Sequence, residues 1–145
     1  MRITNSTKYY SILIGALFTI IGGVVNFLNY FIQYHYITNY YSNRYFLNVS
    51  TDAVIAAERT TILMLIILII SVILVIIVVK LAKYSAKNTN LSQRNGMAIL
   101  IIGIILFSFG IGDYIGPALI ILGGFSFLVK EGDIVIQQSE PDVQK

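Results

Sequence analysis

The residues able to do chemistry are few, and their spacing does not assemble a catalytic site. The chain has no cysteine and one histidine, His35. Without cysteine there are no disulfides, thiolate metal sites, iron–sulfur clusters or cysteine nucleophiles. A haem held between two histidines of one chain is excluded, and no histidine–carboxylate set has the spacing of metal ligands. There is no phosphate-cradling glycine loop, no nucleophile elbow and no catalytic pair of carboxylates. Asp52, Glu58 and Arg59 cluster ahead of the second apolar stretch, and they read as the solvated start of a helix. The expectation is a protein that is not an enzyme and holds neither metal nor cofactor.

The remaining polar groups of interest lie inside or beside long apolar stretches. They are Asn26 and Asn29, Ser71 and Asp113. An amide in an apolar stretch needs a hydrogen-bond partner. A serine in a helix can bond back to its own carbonyl four residues earlier. Asp113 falls in a turn, where a carboxylate can cap the amides of the next helix. These groups therefore point to helix packing before they point to reaction chemistry.

Composition explains why the stretches matter. Of 145 residues, 57% are hydrophobic and 12% are charged. A soluble domain carries about 25% charged residues. Half that share suits a chain solvated by lipid better than one covered by water. A net charge of +3 without a basic stripe excludes nucleic-acid binding.

Four apolar spans are expected, at about 9–32, 61–79, 97–111 and 115–129. Span one is too long for a signal core and lacks a small-residue cleavage site, so it is expected to remain in the mature protein. Lys80, Lys83, Lys87 and Arg94 come after span two with no acid among them. Basic loops stay on the cytoplasmic side. The pattern predicts a multi-pass protein of the cell membrane with both termini cytoplasmic, and residues 131–145 form a short polar cytoplasmic tail. The fold expected is all-α, with four transmembrane helices arranged as two antiparallel hairpins. Helices 3 and 4 are short and joined by a tight Gly112-Asp113 turn; they form either a thin hairpin that spans the membrane or a re-entrant pair.

The outer loop carries its own helical signal. No glycine or proline occurs between Gly23 and Gly96. Tyr30, Tyr34, Ile37, Tyr41 and Tyr45 recur at helical spacing. Helices 1 and 2 are therefore expected to be long, with helix 2 starting near Ala53. Their ends either protrude outside as a hairpin or lie flat in the interface, where tyrosine is favoured. The tyrosines Tyr30, Tyr34, Tyr41 and Tyr45 form a candidate outer aromatic face. Asn48 begins an Asn-x-Ser pattern on that outer side.

Small residues mark where helices approach one another in lipid. In span one Gly15, Gly22 and Asn26 share a stripe with Asn29 and Gln33. Gly96, Gly103 and Gly110 recur every seven residues, as do Gly116 and Gly123. A seven-residue small-residue seam suits a close antiparallel crossing. Glycine seams and aromatic surface without reactive groups predict a non-enzymatic accessory, scaffold or assembly subunit. Its partners are membrane lipid and other membrane subunits or further copies of itself. The competing expectation is a small oligomeric channel or transporter, with Asn26, Asn29 and Ser71 lining a path completed by symmetry.

Overall fold

The computed structural model describes residues 5–42, 51–87, 89–110 and 114–129. These residues are all-α and form four helices: α1 Asn5–Ser42, α2 Thr51–Lys87, α3 Thr89–Ser108 and α4 Ile115–Leu128. At 1.5 Å per residue the helices are about 57, 56, 30 and 21 Å long.

The lengths reflect where breakers fall. With neither glycine nor proline between Gly23 and Gly96, nothing stops α1 or α2 at the end of its apolar run. For the same reason α3 begins at Thr89, ahead of the apolar run expected from Met97. Its polar first turns are as compatible with helix as the Ile-rich segment after them. The chain leaves α3 at Gly110, whose φ of 58° is the left-handed conformation of a helix C-cap. The Gly110 N–H donates to Phe107 O at 3.2 Å. Gly110 was expected to continue the seam of Gly96 and Gly103. It terminates the helix instead, and nothing lies within 4 Å of where its Cβ would stand. The Gly112-Asp113 turn lies outside the described residues.

In α4 the first backbone bond runs from the Ala118 N–H to Tyr114 O at 3.1 Å. Pro117 thus sits among the amides that have no helical partner, where its missing N–H costs nothing. Tyr114 is the N-cap residue and makes no side-chain capping bond.

Each helix packs on two others: α1 on α2 and α4, and α3 on α2 and α4. The α1–α4 contact is antiparallel, with Ile12 beside Gly123, Gly15 beside Gly116 and Ile120, and Thr19 beside Gly116. The α3–α4 contact is also antiparallel, with Gly96 beside Phe127 and Gly103 beside Ile120 and Ile121. Between them lies a core of Ile12, Ala16, Val75, Val78, Ala82, Ile99, Leu106, Ile120 and Phe127.

That core occupies part of the length of α1 and α2. Among the residues whose burial is described, the last buried one of α1 is Gly23 and the first of α2 is Ser71. Beyond them α1 and α2 continue with half-buried residues at a 3–4 spacing, such as Phe27, Tyr30, Tyr34 and Ile37 of α1. Among the described residues the bundle is therefore four helices thick over one part and two helices thick over the other.

Large apolar side chains dominate the outside. Leu17, Val25, Ile32, Leu63, Ile69, Ile73 and Leu122 are all exposed, while Gly15, Ala16, Thr19, Ser71, Ala82 and Ser85 are buried beside the larger core residues. Two helical segments, Thr7–Asn39 and Ala53–Lys87, are long and apolar enough to cross a membrane. Only 28% and 17% of their most apolar windows are buried against the rest of the chain.

Candidate functional site

Glycines bring helices of the bundle to backbone contact. A Cβ on Gly15 would stand 2.8 Å from Gly116 O and 2.9 Å from Leu119 Cβ. One on Gly116 would stand 2.5 Å from both the N and the Oγ1 of Thr19. Where α1 crosses α4, the two backbones therefore touch directly. Thr19 is buried, and its hydroxyl donates to Gly15 O at 2.8 Å. The hydroxyl is thereby satisfied within its own helix and leaves the crossing free of unmet polar groups.

Gly123 and Gly124 divide their work between two neighbours. A Cβ on Gly123 would run into Ile12 of α1, whereas one on Gly124 would stand 2.8 Å from Leu100 N of α3. Successive residues on a helix point about 100° apart, so two adjacent glycines open two separate faces of α4. On α3, a Cβ on Gly96 would lie 2.8 Å from Phe127 Cβ, and one on Gly103 would lie 2.8 Å from Ile121 Cγ1. Gly15, Gly96, Gly103, Gly116 and Gly123 are thus all at helix–helix contacts, and Gly110 is not.

At the end of the bundle opposite Gly110, α1, α3 and α4 meet around Phe127. Lys8 is 7% exposed, and its Nζ lies 5.8 Å from the Phe127 ring centroid, within cation–π range. Ser92 Oγ donates to Phe127 O at 3.5 Å, reaching one of the carbonyls left over at the end of α4. Neither Lys8, Thr19 nor Ser92 stands out in the sequence. The signal for Thr19 is its register, since Ile12, Gly15, Thr19, Gly22, Asn26, Asn29 and Gln33 alternate by threes and fours.

Burial along that register changes abruptly. Ile12, Gly15 and Thr19 are buried, Gly22 and Asn26 are half-buried, and Asn29 and Gln33 are exposed. The change falls where α4 starts, since Gly116 lies against Thr19. The side chains of Asn26, Asn29 and Gln33 make no hydrogen bond to another described residue. Tyr30 and Tyr34 are half-buried on a different side of α1, in the register of Ile20, Gly23 and Phe27. His35 is exposed, with its ring centroid 4.6 Å from that of Phe31. The Tyr41 side chain and Tyr45 lie outside the described residues, as do Asn48 and the tail.

Helical hydroxyls repeat one solution. Ser71 donates to Ile67 O at 2.8 Å, Ser85 to Leu81 O at 2.9 Å and Thr61 to Ala57 O at 2.8 Å. Thr38 does the same to Tyr34 O. Each is an i to i−4 bond that asks nothing of a neighbour. No buried side-chain nitrogen or oxygen among the described residues lacks a partner. No group of three metal-binding side chains occurs among them either.

Comparison with protein-family models, with curated proteins and with solved structures finds no match to this chain.

Proposed function

We propose that this chain is a multi-pass integral membrane protein that serves as a non-enzymatic accessory, scaffold or assembly subunit. The observation that carries the reading is the large apolar surface left on the outside. Large aliphatic residues face outward from Leu13 to Ile32 of α1 and from Ile62 to Ile77 of α2, and far fewer pack into the core beside Ala16, Thr19, Ser71 and Ala82. In water, burying one such side chain is worth about 1.5–3 kcal/mol, so a soluble fold would turn these residues inward. In lipid that incentive disappears, and close packing of small residues takes over. A core helix of a soluble protein is mostly buried; the apolar windows of α1 and α2 are mostly exposed.

The ends of α2's apolar run agree with such a span. Arg59 and Lys80 bracket 20 intervening residues, about 30 Å of helix. That matches the hydrocarbon thickness of a bilayer. Hydroxyls satisfied within their own helices also suit a lipid environment, where no water replaces a missing partner. With the lysine-rich connector in the cytoplasm, α1 and α2 cross and return the chain there, and the shorter α3 and α4 enter from that side and turn back to it, so both termini lie there too. The glycines that mark close approach serve contacts within the chain, so the subunit role rests on the exposed apolar surface together with the absence of any metal-binding cluster among the described residues.

Two measurements test this reading. Membranes washed with alkaline carbonate should retain the protein, and mild detergent should release it together with partner subunits or further copies. Release by the wash would remove the membrane assignment. Retention, then purification as a lone monomer, would remove the subunit role.

A further inference from the structure

The face of α2 turned away from the bundle changes character at one point. Ser71, Val75, Val78, Ala82 and Ser85 are buried, and at about 100° per residue they share an arc about 80° wide. Ile62, Ile69, Ile73 and Ile76 lie on the opposite side and are exposed. That side continues as Lys80, Lys83 and Lys87, about 180°, 120° and 160° from the middle of the buried arc. All three lysines are exposed, with the core behind them. In a bilayer with Lys80 at the edge of the hydrocarbon, Lys83 and Lys87 stand about 5 and 11 Å further out. A headgroup layer about 5–8 Å deep covers that interval in large part. Tyr84 is exposed beside them, at the depth where tyrosine is favoured.

We propose that this end of α2 binds phospholipids with anionic headgroups: the three lysines hold the headgroup, and the acyl chains lie on Ile69, Ile73 and Ile76. The inference rests on the membrane-subunit reading and names the class of lipid that the subunit selects. Two observations favour an anionic lipid. The first is charge. The acids of the described residues are Asp52 and Glu58, and Glu58 lies 22 residues, about 33 Å, back from Lys80. Three cations on one face thus face outward with no acid of the described residues beside them. A zwitterionic headgroup brings its own cation and gains little from such a face; an anionic one gains from each lysine. The second is order. Along the helix the face runs from apolar to cationic, as a phospholipid runs from tail to head, and lysine stems can lie along it while their ammonium groups reach the phosphates. Glu131, Asp133, Glu140 and Asp142 are the rival counter-charge within the chain. They come after α4, which packs on α1 and α3, so α4 ends away from the lysine face.

The chain has no tryptophan, so a single one can report on its lipid neighbours. Ile76→Trp places it on this face about 6 Å inside Lys80, and Ile62→Trp places it on the same face near the other end of the span. The full chain is reconstituted in vesicles of mixed phosphatidylcholine and phosphatidylglycerol, with one or the other brominated in its acyl chains. Quenching then measures which lipid lies against the indole. At Ile76→Trp, phosphatidylglycerol should be preferred about fivefold, the scale of one lysine at an anionic surface. At Ile62→Trp, where Glu58 and Arg59 offset each other, the preference should be close to none. Adding Lys80→Gln, Lys83→Gln and Lys87→Gln to Ile76→Trp should abolish the preference, and Lys80→Arg, Lys83→Arg and Lys87→Arg should retain it. These side chains are exposed on the side opposite the core, so the changes leave the packing of the bundle intact.

Equal preference at both positions, or a preference that survives the three glutamines, would overturn the inference. So would failure of both brominated lipids to quench Ile76→Trp, which would mean that protein covers the face. A preference that emerges only after Glu131→Gln, Asp133→Asn, Glu140→Gln and Asp142→Asn would make the tail the occupant and overturn it too. In each case the membrane-subunit reading survives if carbonate washing still retains the protein. Loss of the protein in that wash defeats the parent reading first.

Discussion

Adding one methyl group at Gly116 tests the α1–α4 crossing directly. The Cβ would stand 2.5 Å from Thr19 N and Oγ1 and 2.9 Å from Gly15 O, where ordinary contact starts at 3.4 Å. The shortfall is about 0.9 Å (3.4 less 2.5), and the obstructing atoms are mostly backbone. Thr19 cannot swing aside freely, because its hydroxyl is bonded to Gly15 O at 2.8 Å. The two helices must therefore separate. Overpacking of this kind costs about 1–3 kcal/mol, and a gap near 1 Å also forfeits a quarter to a half of each neighbouring dispersion contact. Alanine recovers up to about 1 kcal/mol of helix preference over glycine, and less than that in a first turn. The net expectation is a loss of about 1–3 kcal/mol. Gly103→Ala is the matched control. Its obstructing atoms include Ile121 Cγ1 and Ile120 Cγ2, side-chain atoms able to shift, so the loss should stay within about 1 kcal/mol. Reversible unfolding in mixed micelles measures both, read by fluorophores on single cysteines introduced into α1 and α4. If Gly116→Ala equals the parent in stability while Gly103→Ala loses more, the crossing is not built as described.

Other substitutions probe separate contacts. Gly123→Ala should destabilise by a similar amount, because its Cβ meets Ile12; adding Ile12→Ala should restore part of the loss in the same unfolding assay. Ser71→Ala should change stability by less than about 0.5 kcal/mol, since the hydroxyl bonds only to Ile67 O of its own helix. Lys8→Gln and Phe127→Leu, measured singly and together, should give a coupling of about 0.5–2 kcal/mol from the cation–π contact. A coupling of zero would show that the two residues merely adjoin.

Much of the local structure was legible in the sequence because breakers and periodicity are local. The glycine- and proline-free run from Val24 to Asn95 accounts for the lengths of α1 and α2, and α2 starts at Thr51 beside the expected Ala53. The start of α3 was less legible, because an apolar run marks where lipid can begin and says little about where a helix begins. The seven-residue spacing of Gly96, Gly103 and Gly110 suggested a continuous seam. A glycine that opens a groove and a glycine that ends a helix are the same residue in the sequence; only the backbone conformation distinguishes them. The pairing of α1 with α4 was not legible either. Gly15 and Gly116 are 101 positions apart, and no local pattern links them. The doublet Gly123-Gly124 held a clue, since serving two neighbours requires two adjacent openings about 100° apart.

The uneven thickness of the bundle has a mechanical consequence. Within a bilayer, the leaflet on the Lys8 side would be displaced by four helices, and the opposite leaflet mainly by α1 and α2 beyond Gly23 and before Ser71. A body broader in one leaflet than in the other is a wedge. It would rest with least elastic strain where the membrane bends to give the broad end more area. Vesicles of different radii should therefore compete unequally for this protein, and the sign of that preference would report which end of the wedge faces the convex side.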